Sequence, residues 1–237
     1  MPAPLPPVVV LCGGRGTRAW PLTEDLPKPL LPIGGRPVLG HLLEVYLRQG
    51  VRRIVLATGF RADLVEKWAG DLDLPADASV TCVDTGADAG TAERLRACRT
   101  ELDDTFFATY GDGLGDVDLR ALFDRHRAAA TSATVTTVPL PSQYGTLDLD
   151  ADDRVTGFRE KPVLPDHWIN AGFFVLTAGA LDASPGPDLE RDVLPALAQR
   201  GGLVAHRHAG FWRSVDTQKD LAELEHLAAT GATPWLS

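Results

Sequence analysis

Three glycines within four residues, Gly13, Gly14 and Gly16, follow the apolar run Val8 to Leu11. Without a Cβ they leave backbone N–H groups open, and a loop of this kind can wrap closely around a phosphate chain. Arg15, Arg18 and Lys28 add cationic donors to the same segment. Arg18 and Lys28 bracket a connection stiffened by Pro21 and Pro27, with Pro29 directly after. Two better-known phosphate loops do not fit. A Walker A loop needs Lys-Ser/Thr after its last glycine, where this chain has Thr17-Arg18, and the third glycine of G-x-G-x-x-G has no match near Trp20. The alternative is a tight strand-to-loop turn whose basic residues are merely solvated.

Charge sharpens the argument. A net charge of −9 speaks against nucleic acid or an anionic membrane as partner. An acidic protein that handles polyanions must therefore gather its cations locally. Its lysines are Lys28, Lys67, Lys161 and Lys219 alone, and two of these four precede a proline, as Lys28-Pro29 and Lys161-Pro162.

Further on, Asp112 sits between two glycines in Tyr110-Gly111-Asp112-Gly113. A carboxylate there is suited to Mg²⁺, which keeps several waters and takes one or two carboxylates plus phosphate oxygens. It could equally make an ordinary Asp-Gly turn. Asp216, before Thr217, is either a second such ligand or the N-cap of a last helix, two uses that compete for the same oxygens. Lys161, after Glu160, could set a point charge against a phosphate monoester, or simply lie in a surface turn. Asn170 could hydrogen-bond sugar hydroxyls, with Ala171 and Gly172 letting the backbone approach, and Tyr144-Gly145 could serve similarly.

The elements that would position these residues alternate. Strands are expected at 8–11, 53–58, 79–83, 105–110 and 132–138, and helices at 37–48, 62–69, 91–102 and 119–129. The 86–90 loop opens the third helix. This alternation implies a Rossmann-like α/β fold, a mostly parallel sheet flanked by helices, with ligands at the carboxyl ends of the strands, where Gly13–Arg18 and Gly111–Gly113 both fall. The second half changes character: a hairpin at 146–149 and 154–160, a strand at 169–176, a helix at 189–200, strands at 203–208 and 211–215, and a closing helix at 217–229. No linker, repeat or low-complexity segment interrupts the chain, so one domain is expected over 1–237. Its N-terminal half, about 8–130, would bind nucleotide, and its mixed-sheet C-terminal half, about 131–237, would supply a second pocket.

These motifs, in this order, cover nearly the whole chain and resemble the sugar nucleotidyltransferases, which join a nucleoside triphosphate to a sugar 1-phosphate. The general signature is Gly13-Gly14-Arg15-Gly16-Thr17-Arg18 with Lys28-Pro29, then Gly111-Asp112, then Glu160-Lys161-Pro162. The glucose-1-phosphate cytidylyltransferase branch is suggested by Val83-Asp84-Thr85-Gly86 with Thr91 and Arg94-Leu95. It is also suggested by Thr109 to Gly113, by Ile169-Asn170-x-Gly172-Phe173-Phe174-Val175, and by Gly210-Phe211-Trp212 with Asp216-Thr217. Between Arg61 and Val83 this chain is shorter than those enzymes, and Ala89-Gly90 stand where a hydroxyl-bearing residue often precedes the threonine.

The resemblance implies a nucleotide-diphospho-sugar transferase type of fold. Leu11, Cys12, Gly13, Gly14, Arg15, Gly16, Thr17 and Arg18 would bind CTP, with Thr91, Arg94 and Gly111 also contacting the nucleotide. Lys28 would act on its phosphates, Asp112 and Asp216 would hold Mg²⁺, and Gly145, Glu160, Lys161 and Asn170 would hold the sugar phosphate. Arg18, Lys28, Asp112 and Asp216 form the expected catalytic set. The same motifs leave room for dTTP, UTP or GTP, for another acceptor phosphate, or for a non-catalytic regulator. A homo-oligomer is expected, since relatives commonly form tetramers or hexamers, and the apolar Pro234-Trp235-Leu236 could pack on a neighbour or on its own domain.

No apolar run reaches the ~18 residues of a membrane span, and Met1 to Pro7 resembles no targeting segment, so a cytoplasmic location is expected. Cys12, Cys82 and Cys98 lack C-x-x-C spacing and read as buried reduced thiols. His206-x-His208 reads as a half-exposed strand pair rather than a zinc site.

Overall fold

A computed structural model describes residues 4–236, except the side chains of Arg18 and Pro165. The strands and helices follow in the order β1 (Val8–Leu11), β2 (Pro32–Ile33), β3 (Arg36–Pro37), α1 (Val38–Arg48), β4 (Arg53–Thr58), α2 (Ala62–Gly70), β5 (Ser79–Asp84), α3 (Thr91–Ala97), β6 (Thr105–Tyr110), β7 (Gly113–Gly115) and α4 (Leu119–Ala129). Then come β8 (Ala133–Pro141), β9 (Thr146–Leu149), β10 (Val155–Arg159), β11 (Val163–Thr177), α5 (Leu194–Gln199), β12 (Leu203–Arg207), β13 (Trp212–Ser214) and α6 (Gln218–Ala229). Short single-turn helices fill several connections, among them Thr17–Ala19 and Lys28–Leu30.

Seven strands make one sheet in the order β12-β8-β11-β6-β1-β4-β5. Neighbours are parallel except at β11, which runs against both β6 and β8. The expected mixed, mostly parallel sheet flanked by helices is therefore the architecture found. Val8, Val9 and Val10 are fully buried, as a central strand covered on both faces requires. One apolar layer joins Val8 and Val10 to Leu39, Leu42 and Tyr46 of α1, and the other joins Val9 to Leu95 of α3 and Val193. Trp235 is buried in the first layer, where its indole N–H donates to His41 Nδ1 at 3.3 Å, so the C-terminal turn packs on its own chain.

Register brings the loops of interest together. Leu11 stands opposite both Tyr110 and Ala57, so the glycine loop and Gly111-Asp112 leave the sheet side by side at one level. Several elements depart from expectation. The strand expected over 169–176 begins at Val163, and the short β2, β3 and β7 are additional to the strands expected. The helix expected over 91–102 ends at Ala97 and passes into a tight turn at Arg99–Glu101. The helix expected over 189–200 opens with a wide turn, Leu189–Val193, that displaces Glu190 toward the strand ends. The strand expected over 211–215 does not join the main sheet: β13 pairs antiparallel with the short β7, Gly113 opposite Ser214. That ladder is invisible to periodicity, because Gly113-Leu114-Gly115 carries no strand signal.

Candidate active site

Geometry requires two of the loop glycines. A Cβ on Gly13 would run into the Arg94 guanidinium and lie 2.7 Å from the Thr58 carbonyl. Gly16 adopts φ +63°, a left-handed conformation that costs glycine nothing, and its carbonyl accepts from Thr23 Oγ1 at 3.1 Å. Gly14 faces open space, which leaves the backbone approachable from solvent. Arg15 pairs with Asp88 at 3.0 Å and lies over the Phe60 ring, at the rim where the loop meets the 85–90 connection.

Beneath this loop lies Lys28, about 7% exposed, in a turn stiffened by Pro27 and Pro29. Its Nζ donates to Asp112 Oδ2 at 2.6 Å and to Asp216 Oδ1 at 2.9 Å. The β7–β13 ladder explains how two residues so far apart in sequence converge: the Val215 N–H donates to the Asp112 carbonyl at 2.8 Å, and Asp216 follows directly. Trp212 pins β13 to β11 by donating from Nε1 to the Ala171 carbonyl at 2.7 Å. The two uses open to Asp216 are divided between neighbours. Thr217 caps α6, its Oγ1 accepting from the Asp220 N–H, and the Asp216 carboxylate turns to Lys28 and to the Ser214 hydroxyl at 2.9 Å.

Arg94 is 4% exposed and bonds to backbone carbonyls rather than to a carboxylate. Its Nη1 donates to the carbonyls of Thr58 and Gly86, and its Nη2 to those of Gly13 and Ala87, at 2.8–3.3 Å. The guanidinium thus ties the glycine loop, the end of β4 and the 85–90 connection together. Burial pulls its pKa down from the usual arginine range. Opposite, a hydrogen-bond chain crosses the cleft. Asn170 Nδ2 donates to the Tyr110 hydroxyl at 3.0 Å, that hydroxyl donates to Glu190 Oε1, and Thr91 Oγ1 donates to Glu190 Oε2 at 2.7 Å. Burial, with Glu190 close by, pushes the Tyr110 phenol well above its ordinary pKa, so it stays a donor. Burial likewise raises the Cys12 thiol. The three cysteines are unpaired, but against expectation Cys82 is only half-buried, on the edge strand β5, while Cys12 and Cys98 are buried.

The result is a cleft of about 620 Å³ at the strand ends. Of the residues expected from sequence, Leu11, Cys12, Gly13, Gly14, Gly16 and Thr17 line it along one wall. Lys28, Gly111, Asp112 and Asp216 form its floor, with Thr91, Arg94 and Asn170 around them. Arg15 stays on the rim. Arg18 lies outside the described side chains. Gly145, Glu160 and Lys161 do not line the cleft; Glu160 and Lys161 are exposed at the base of the β9–β10 hairpin. Tyr110, Glu190 and Trp212 also line the cleft, although none of them is a site residue expected from sequence. Tyr110 and Trp212 lie within the motifs that carry the resemblance; Glu190 belongs to no motif.

The family model described as "Nucleotidyl transferase" matches residues 7–230. The chain belongs to the nucleotidyl transferase family. This nucleotidyl transferase is 36% identical to the Bacillus subtilis protein named "Probable glucose-1-phosphate cytidylyltransferase", over 96% of its own length and 98% of the relative's. It is 34% identical to the glucose-1-phosphate cytidylyltransferase of Salmonella typhi, over 96% and 97% of the two chains. A Mycobacterium tuberculosis mannose-1-phosphate guanylyltransferase is also 34% identical, but the match spans 90% of this chain and only 61% of that one. Among solved structures, HddC from Yersinia pseudotuberculosis superposes with a TM-score of 0.74 at 25% identity, covering 94% of this chain and 99% of that one.

Among the described residues of the transferase no three His, Cys, Asp or Glu side chains stand together as a ligand cluster. The chemistry of the donor set still fits a divalent ion. Two partly exposed carboxylates already converge on one cationic centre, and Mg²⁺ draws its remaining ligands from water and phosphate oxygens. No helix among the described residues is long and apolar enough to cross a membrane.

Proposed function

We propose that this protein joins CTP to a sugar 1-phosphate, glucose 1-phosphate first among them, giving a CDP-sugar and pyrophosphate. The observation that carries the reading is Lys28, held between Asp112 and Asp216 on the floor of a cleft whose wall is a glycine loop. The end-to-end match with two cytidylyltransferases, against a partial match with a guanylyltransferase, favours cytosine as the base.

In this reading a phosphate oxygen of the sugar 1-phosphate attacks the α-phosphorus of CTP. The new O–P bond forms as the α–β bridging bond breaks, and pyrophosphate carries away the electron pair. The nucleophile is anionic at neutral pH, so no general base is required; the protein aligns the reactants and neutralises developing charge. The backbone of Gly13 to Thr17 cradles the phosphates, and Lys28 with Arg18 neutralises the pyrophosphate side. Arg94 acts through the loops it ties. Asn170 receives the sugar 1-phosphate from within the cleft, and the part expected of Gly145, Glu160 and Lys161, which lie outside it, requires the hairpin segment to close toward the substrate. Asp112 and Asp216 would hold Mg²⁺, which when bound supplies charge neutralisation between attacking and leaving phosphates.

The single-domain reading, a cytoplasmic location and a homo-oligomeric state belong to this proposal. GTP with mannose 1-phosphate is the second reading, because the guanylyltransferase relative is as similar where it aligns; dTTP and UTP share the same general motifs. Pyrophosphate release across four nucleoside triphosphates and several sugar 1-phosphates, with Mg²⁺, separates them. CTP with glucose 1-phosphate is expected to give the highest kcat/KM. A preference for another triphosphate would overturn the base assignment, and no release with any pair would overturn the activity.

A further inference from the structure

The hydrogen-bond chain across the cleft has its donor directions fixed at both ends by backbone N–H groups. At one end the Gly172 N–H donates to Asn170 Oδ1 at 2.8 Å, so the Asn170 amide meets the Tyr110 hydroxyl with Nδ2, a group that can only donate. That hydroxyl accepts there and gives its single hydrogen onward, to Glu190 Oε1. At the other end the Leu189 N–H donates to Thr91 Oγ1 at 2.7 Å, and the Thr91 hydroxyl gives its hydrogen to Glu190 Oε2, also at 2.7 Å. Two lines of donors converge on Glu190, and only a carboxylate, which accepts through both oxygens, satisfies both.

Packing places the other members of the chain. A Cβ on Gly172, whose φ is +79°, would lie 2.3 Å from Tyr110 Cδ2, so the Tyr110 ring sits directly on that backbone. Phe174 meets the same ring edge-on, 5.6 Å between centroids. The turn that carries Glu190 is anchored just before it, where the Pro187 carbonyl accepts from the Ala92 N–H at 2.8 Å and the Glu93 N–H at 3.2 Å, at the start of α3. What packing leaves open is the direction of the Tyr110 hydroxyl hydrogen, and Glu190 sets it. Asn170 is exposed and lines the cleft, and its Nδ2 carries a second N–H.

We propose that Glu190 is a positioning residue for the sugar 1-phosphate: by accepting the Tyr110 hydrogen it fixes the Asn170 amide so that the second N–H meets a sugar hydroxyl. The role rests on the reading above in which Asn170 receives that substrate. Exchanging the carboxylate for an amide turns one of the two oxygens into a donor, which then faces a hydroxyl whose hydrogen is already committed, and the chain must reverse at one end. Thr91 stays fixed by the Leu189 bond and by its place at the start of α3, so the sugar side is the side that gives.

The test is a double-mutant cycle read by pyrophosphate release from CTP and glucose 1-phosphate with Mg²⁺. Glu190→Gln should raise KM for glucose 1-phosphate about tenfold, the equivalent of one lost hydrogen bond, and leave KM for CTP unchanged. Tyr110→Phe keeps the ring packing and removes the hydroxyl between Glu190 and Asn170. It should raise the same constant similarly, and it reads the link where the amide variant fails to fold. Because Glu190 acts through Asn170, adding either change to Asn170→Ala should make that variant no worse. Additive effects would overturn the inference, as would an unchanged KM for glucose 1-phosphate or an equal rise in both Michaelis constants, the mark of a residue that only holds the fold. Wild type that releases no pyrophosphate would overturn the functional reading and this inference with it; an active wild type with additive variants overturns this inference alone.

Discussion

Lys28 does two jobs with one ammonium group. It neutralises two carboxylates that would otherwise repel across a short gap, and it stands where triphosphate oxygens would arrive under the glycine loop. Lys28→Ala should lower kcat roughly a hundredfold or more, the typical loss for one preorganised donor, while far-UV circular dichroism stays unchanged. Arg94 makes a different prediction, because its donors are committed to carbonyls of three segments. Lysine cannot reproduce that fork. Arg94→Lys should raise KM for the nucleotide about tenfold, the equivalent of one or two lost hydrogen bonds, and leave KM for the sugar phosphate unchanged. Equal shifts in both Michaelis constants would place Arg94 elsewhere in the mechanism.

At the scale of elements, the decisive unit is the β7–β13 ladder. Trp212→Phe keeps an aromatic ring but removes the bond to the Ala171 carbonyl, so β13 loosens on β11 and Asp216 loses its fixed position. Stability should fall by about 1 kcal/mol, and kcat should fall with little change in either KM. Gly13→Ala should abolish nucleotide binding outright, since its Cβ has no space between Arg94 and the Thr58 carbonyl; calorimetric titration with the triphosphate measures it. How much of this is legible in the chain follows from the same elements. β1, β4, β6 and α1 announce themselves by unbroken apolar runs and a helical stripe. Their parallel register then places Gly13–Thr17 beside Gly111-Asp112 without further information. The β7–β13 pairing rests on Gly113-Leu114-Gly115, which has no pattern to read. Sequence alone therefore leaves Asp216 divided between ligand and cap, and only the structure gives the cap to Thr217. Glu190 is hidden for a similar reason: a wide turn, which no sequence period announces, carries it toward Tyr110 and Thr91.

The whole molecule joins an acidic exterior to a floor where cation and carboxylates are matched, and it closes with Trp235 buried against His41. That closure has a pH dependence of definite sign. Burial lowers the His41 pKa below its usual value of 6.5, and the Trp235 N–H donates to Nδ1, which must therefore be unprotonated. His126 and His206 are lowered by burial as well. The unfolded chain binds protons first as pH falls through about 6.5, so stability is full above that value and declines below it. Thermal melts between pH 7.5 and pH 5 should show Tm falling, and Trp235 fluorescence should report the C-terminal turn opening with it. A Tm that rises toward pH 5 would contradict this sign.

Pyrophosphate release from CTP and glucose 1-phosphate in the presence of Mg²⁺, compared between wild type and the Asp112→Asn and Asp216→Asn variants, tests the central claim most directly. Both substitutions keep side-chain shape and remove one negative charge from the centre that Lys28 now neutralises. Wild type should turn over and both folded variants should lose activity by about a hundredfold or more. Near-normal release by either folded variant would contradict the placing of the reaction at this site.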